Sequence, residues 1–134
     1  MHKGFLKTGI ALTALAVMLG AFGAHGLRPL LSEKELITYE TAVRYQFYHS
    51  FAIIIVGIVF REFRSRFVEW AGWAFAAGLL IFSGSLYLLT TMRLLHKEGF
   101  EWLGAITPLG GILFVLGWIF LFAGISRKHQ RSSL

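Results

Sequence analysis

A chain of 134 residues, 56% of them apolar, has room for one compact bundle and none for a separate soluble domain. It contains no Cys and no Asp, which excludes disulfides, thiolate chemistry, Cys-based metal or iron–sulfur sites and any Ser/His/Asp triad. A net charge of +6 would suggest nucleic acid in a soluble protein, but here the charges are confined to connections between apolar stretches, so no nucleic-acid partner is expected.

Residues 8–24, 45–60, 70–92 and 102–126 carry no Asp, Glu, Lys or Arg. A helix of about 20 apolar residues crosses a hydrocarbon core ~30 Å thick, with every backbone polar group satisfied within the segment. The pattern predicts an all-α integral membrane protein, a four-transmembrane-helix bundle forming a single domain over residues 1–134. The spans are expected at about residues 5–25, 44–60, 70–92 and 102–126, with a short amphipathic outer segment before helix two.

Helix one is rich in small residues, and Ala16, Gly20 and Ala24 recur every four positions. Apolar burial gives little drive between helices in lipid, so such a stripe lets backbones approach and gain dispersion contacts. Lys3 and Lys7 followed by an apolar run and small residues resemble a signal peptide. The apolar run exceeds the usual h-region, however, and its removal would leave three helices with termini on opposite sides, so the helix is expected to be retained. Gly26 and Pro29 end it. Ser32 and Glu35 then have capping-box spacing, and no Gly or Pro interrupts the chain until Gly57, so helix two can start near Glu33. Only 16 residues separate Arg44 from Arg61, about 24 Å of helix, which leaves Arg44 snorkelling at or below the outer interface, with Glu40 four residues earlier as a partner. Helix four carries Gly110, Gly117 and Gly124 at seven-residue intervals, the mark of a close helix contact within the monomer or between protomers.

Cytoplasmic flanks of membrane helices collect Lys and Arg. With both termini inside, the inner flanks hold Lys3, Lys7, Arg61, Arg64, Arg66, Arg127, Lys128 and Arg131, while the outer connections hold Arg28, Lys34, Arg44, Arg93 and Lys97. The acids Glu33, Glu35, Glu40, Glu98 and Glu101 cancel the outer bases, so the inner flanks carry the whole +6. Both termini are therefore expected in the cytoplasm of a bacterial plasma membrane, with the basic inner surface against anionic lipid headgroups.

Polar residues placed by depth form one outer layer. His25 ends helix one; Tyr45, Gln46, Tyr48, His49 and Ser50 lie in the outer third of helix two. Ser83, Ser85, Tyr87, Thr90 and Thr91 lie in the outer half of helix three, with Thr107 near the same level in helix four. The Ser and Thr residues suit interhelical or own-helix hydrogen bonds, and the tyrosines suit interfacial anchors. His49 is singular, because a titratable group about 7 Å deeper than Arg44 needs a partner, and Tyr87 and His25 are the expected ones. Two imidazoles are too few for zinc, so neither a metal nor any other cofactor is expected. Gly20-x-x-Gly23-x-x-Gly26 follows no strand and is not a phosphate loop.

The motifs GAFGAHG at 20–26, Tyr45-x-x-Tyr48-His49, FSGSLY at 82–87 and GxITPLGG at 104–111, followed by Gly117-Trp118, resemble the signature of domain-of-unknown-function family 423. That family comprises small four-span proteins, among them the bacterial YgdD-like proteins and animal transmembrane protein 256. The resemblance covers nearly the whole chain. It implies a four-helix protein of the bacterial cytoplasmic membrane, supplies no activity or catalytic residue, and favours an uncut first helix. The leading expectation is a non-enzymatic structural or accessory membrane component, alone, as a homo-oligomer or with another membrane protein. The alternative is a binding or transport protein with an outer-facing pocket at His49 and Tyr87 for a lipid, a quinone-like head group or another small ligand.

Overall fold

The structure, a computed structural model, describes residues 1–131, with side chains through Arg127; the side chains of Lys128 and Arg131 in the charge count lie outside the described residues. Helix α1 spans Lys3–Phe22 and runs into a π-helical turn over Gly23–Leu27; α2 spans Glu33–Val59, α3 Arg66–Leu94 and α4 Trp102–Arg131. All four are long and apolar enough to cross a membrane.

Local chemistry sets the ends. His2 caps α1, its Nδ1 accepting from the Phe5 N–H at 3.3 Å, and its own N–H donates to the Gly57 carbonyl at 2.9 Å, pinning the N-terminus to the end of α2. At the start of α2 the capping box is complete: Glu35 N–H donates to Ser32 Oγ at 3.4 Å, and Ser32 N–H donates to Glu35 Oε2 at 2.9 Å. Ser65 Oγ accepts from the Val68 N–H at 3.3 Å and opens α3. Gly99, at φ 85°, supplies the left-handed backbone that turns α3 into α4.

The helices pack antiparallel in chain order, α1 on α2, α2 on α3 and α3 on α4. Helices α2 and α3 form the inner pair: 50% and 44% of their most apolar 18 residues are buried, against 17% in the first span and 28% in α4. The main core joins Phe5, Ile53, Val56, Val68, Phe75, Phe114 and Leu121 towards the N-terminal end. A second cluster of Leu27, Tyr39 and Val43 lies at the opposite end.

Glycines set the two outer seams. On α4, Gly110, Gly117 and Gly124 all face α3: an added Cβ would lie 2.5 Å from the Phe82 backbone nitrogen, 2.6 Å from the Phe75 ring and 2.6 Å from Val68 Cγ2. In the first span Phe5, Gly9, Ala16, Gly23 and Leu27 are buried, and an added Cβ would lie 2.6 Å from Ile54 at Gly9 and 2.5 Å from the Tyr39 ring at Gly23, both on α2. Of the expected stripe, Ala16 is buried, Gly20 is half-buried with an added Cβ 3.3 Å from Val43 of α2, and Ala24 is exposed.

Candidate functional site

The polar layer is built around Gln46, the only side-chain amide in the four apolar stretches. It sits on α2 at 2% exposure. Its Nε2 donates to the Leu12 carbonyl of α1 at 2.9 Å, and its Oε1 accepts from the Tyr87 hydroxyl of α3 at 2.7 Å. Two turns towards the His25 end, Tyr39 donates its hydroxyl to the Leu19 carbonyl at 2.7 Å and packs edge-to-face on Tyr87 at 5.3 Å between centroids. Ser83 Oγ donates to the Ala42 carbonyl at 2.8 Å, tying α3 to α2. Between α3 and α4, Ser85 Oγ and Thr107 Oγ1 are 2.7 Å apart, each also near a carbonyl of its own helix, Phe82 at 2.9 Å and Leu103 at 3.1 Å. Two hydroxyl protons serve those three contacts, so one of the three carries no hydrogen at any moment.

His49 is 5% exposed, and its ring lies flat on Phe114 of α4, with centroids 3.4 Å apart and planes 4° apart. Tyr45, Phe75 and Trp118 complete an aromatic box, at 6.0, 5.8 and 6.4 Å between centroids. Nδ1 lies 2.9 Å from the Tyr45 carbonyl, and a carbonyl only accepts, so the proton sits on Nδ1 and the lone pair on Nε2. No side chain from another helix hydrogen-bonds the ring among the described residues. Tyr87 is committed to Gln46 instead.

His25 is exposed and far from His49. Contacts His2–Gly57, Leu12–Gln46 and Leu19–Tyr39 fix the α1–α2 register, which puts His25 level with the first turn of α2, about 24 Å along the axis from His49 at ~1.5 Å per residue. Both therefore do not reach one depth, and no side-chain group of three or more His, Cys, Asp or Glu that could hold a metal occurs among the described residues. Tyr48 and Arg44 are exposed, Tyr48 packing only its ring edge against Tyr45 at 5.9 Å. Thr90 and Thr91 bond carbonyls of their own helix, at Leu86 and Tyr87. Ser50, fully buried on α2, leaves Oγ without a hydrogen-bond partner.

Sequence reasoning gives His49 the central role, places Gln46 only as one member of the polar layer and Tyr39 only in the outer aromatic belt, and assigns neither its bond to another helix. The available signal was chemical: an amide within an apolar span can donate and accept at once, and so can join three helices.

The family model for proteins of unknown function designated DUF423 matches residues 19–111, which contain the whole hydrogen-bonded layer except Leu12. The chain belongs to this family. It is 44% identical over 119 residues to the UPF0382 membrane protein of Staphylococcus haemolyticus, covering 89% of this chain and 92% of that one. It is 42% identical over 122 residues to the UPF0382 membrane protein of Staphylococcus saprophyticus, covering 91% and 96%. It is 40% identical over 120 residues to the UPF0382 membrane protein YwdK of Bacillus subtilis, covering 89% and 93%. No solved structure gives a significant match. As a DUF423 protein the chain is a small multi-pass membrane protein, from a family to which no catalytic activity is attached.

Proposed function

We propose that this protein is a non-catalytic structural or accessory component of the bacterial cytoplasmic membrane. The observation that supports this is the use of the polar layer: the Gln46 amide, the Tyr39 and Tyr87 hydroxyls and Ser83 Oγ are each spent on a neighbouring helix. Groups committed to holding helices in register are not free to bind or activate a substrate. Membrane pumps and transporters commonly carry ionisable side chains in their spans, and the apolar stretches of this chain contain no carboxylate.

The orientation belongs to the same proposal. Both termini lie in the cytoplasm, and the Lys and Arg at that end rest against anionic lipid headgroups, each worth ~1 kcal/mol near the surface. A second copy or another membrane protein would meet the lipid-facing sides of α1 and α4, the least buried helices.

Native mass spectrometry of protein extracted from its own membrane, wild type against His49→Phe, tests the non-catalytic part. The same bound species in both supports it. A small molecule that wild type retains and His49→Phe loses would overturn it in favour of a ligand pocket.

A further inference from the structure

One feature of the bundle borders the hydrogen-bonded layer at Tyr39 and extends beyond it. Between the last turns of α1 and the second and third turns of α2 there is a cleft of about 230 Å³ lined by Gly20, Gly23, Tyr39, Glu40, Val43 and Arg44. That is room for several waters or a small polar group. The two glycines leave its α1 side without side chains. The Tyr39 wall is fixed, because its hydroxyl is held by the Leu19 carbonyl at 2.7 Å and its ring lies where a Cβ on Gly23 would be 2.5 Å away. The π-helical turn Gly23–Leu27 begins at the edge of the cleft, and such turns cluster at functional sites.

The charges carry the argument further. Glu40 precedes Arg44 by four residues on one helix, the order and spacing that favours an ion pair. Both are exposed and both line the cleft, yet among the described residues no ion pair joins them. One anionic and one cationic group thus stand side by side in a concave site, each open to a partner of opposite sign. Arg44 lies eleven residues into α2, about 16 Å along the axis from that helix's start, the level at which the charge pattern predicts the outer interface.

We propose that this cleft binds a phosphate ester carrying a primary ammonium, as in the headgroup of an aminophospholipid. Arg44 takes the phosphate as a charge-assisted, forked hydrogen bond, and Glu40 takes the ammonium. The phosphate and amine of such a headgroup are two carbons apart, a separation that neighbouring side chains one helical turn apart can bracket.

The full chain in detergent, titrated with phosphatidylethanolamine, phosphatidylcholine and phosphatidylglycerol and followed by native mass spectrometry, tests this. The proposal predicts one saturable phosphatidylethanolamine adduct, weaker binding of phosphatidylcholine, whose quaternary ammonium has no hydrogen to give Glu40, and weaker binding of phosphatidylglycerol, which has no ammonium. Arg44→Gln should weaken phosphatidylethanolamine about tenfold or more, and Glu40→Gln should abolish the preference over phosphatidylglycerol. Both positions are exposed, so both variants keep the fold; His49→Phe should leave the adduct unchanged, which separates this site from the aromatic box. Displacement by glycerophosphoethanolamine would identify a free phosphoamine as a sufficient occupant, and persistence of the adduct would identify the lipid. Equal binding of all three lipids, or adducts indifferent to Arg44→Gln, would overturn the proposal.

Discussion

Tyr87 donates its hydroxyl hydrogen to Gln46 Oε1 across 2.7 Å, while Nε2 of the same Gln46 donates to the Leu12 carbonyl at 2.9 Å. A single amide on α2 therefore fastens α1 on one side and α3 on the other. In lipid, where helix association draws little from apolar burial, such bonds fix register and rotation as well as adding ~0.6 kcal/mol each on average. The seams of small residues bring the backbones close; the amide determines which turns meet.

Two buried serines provide a contrast. Ser83 Oγ donates to the Ala42 carbonyl at 2.8 Å, whereas Ser50 Oγ has no partner. Ser83→Ala should lower unfolding stability in detergent by about 0.5–1.5 kcal/mol. Ser50→Ala removes an unsatisfied hydroxyl and should leave stability unchanged or raise it. Thermal unfolding of the two variants side by side checks this; a larger loss at Ser50 would mean that its hydroxyl has a partner in the membrane.

The α3–α4 crossing should be intolerant of a single methyl group. A Cβ at Gly110 would lie 2.5 Å from the Phe82 backbone nitrogen, which cannot rotate away, whereas one at Gly104 meets nothing nearer than Leu89 at 3.9 Å. Gly110→Ala should cost about 1–3 kcal/mol and Gly104→Ala should be neutral or slightly stabilising, since Ala favours the helix. Gly117→Leu, set against the Phe75 ring, should be worse than Gly110→Ala. Equal melting temperatures for Gly110→Ala and Gly104→Ala would contradict the close crossing.

His49 should be replaceable by Phe with little loss. The ring stacks on Phe114 with planes 4° apart, an arrangement Phe can keep, and the lost Nδ1–H bond runs to a carbonyl of its own helix. The expected change is within ~1.5 kcal/mol, with His49→Ala several-fold more damaging because it opens a void against Phe75, Phe114 and Trp118. Near-ultraviolet circular dichroism of the aromatic bands, read with thermal unfolding, distinguishes the two.

Orientation is checked in intact cells. Cys placed at Ser65 should be shielded from a membrane-impermeant thiol reagent and Cys at Lys97 should react; labelling at Ser65 with protection at Lys97 would reverse the topology. The chain has no native Cys to interfere.

The four helices were legible because charged residues cannot rest unpaired in hydrocarbon, so their absence over 8–24, 45–60, 70–92 and 102–126 marks the spans directly. The capping box of Ser32 and Glu35 was legible for a similarly local reason. The partners of the polar groups were not. Depth counted from Arg44 treats that residue as a boundary, but α2 continues for eleven residues towards Glu33, which carries the His25 level far from His49. Rotation is equally hidden: Gln46 and His49 are neighbours on α2, yet Gln46 turns to α1 and α3 while His49 turns to α4. The π-helical turn over Gly23–Leu27 left no signal beyond its glycines.

The central claim, that the polar layer is a clasp between helices, is tested most directly by a double-mutant cycle on Gln46→Leu and Tyr87→Phe in reversible detergent unfolding. The account predicts that each single variant is destabilised and that the pair shows a coupling energy of about 0.6–1.7 kcal/mol, because either change alone breaks the same bond. Additive effects with no coupling would contradict it, since the Tyr87 hydroxyl and the Gln46 amide would then contribute nothing through each other.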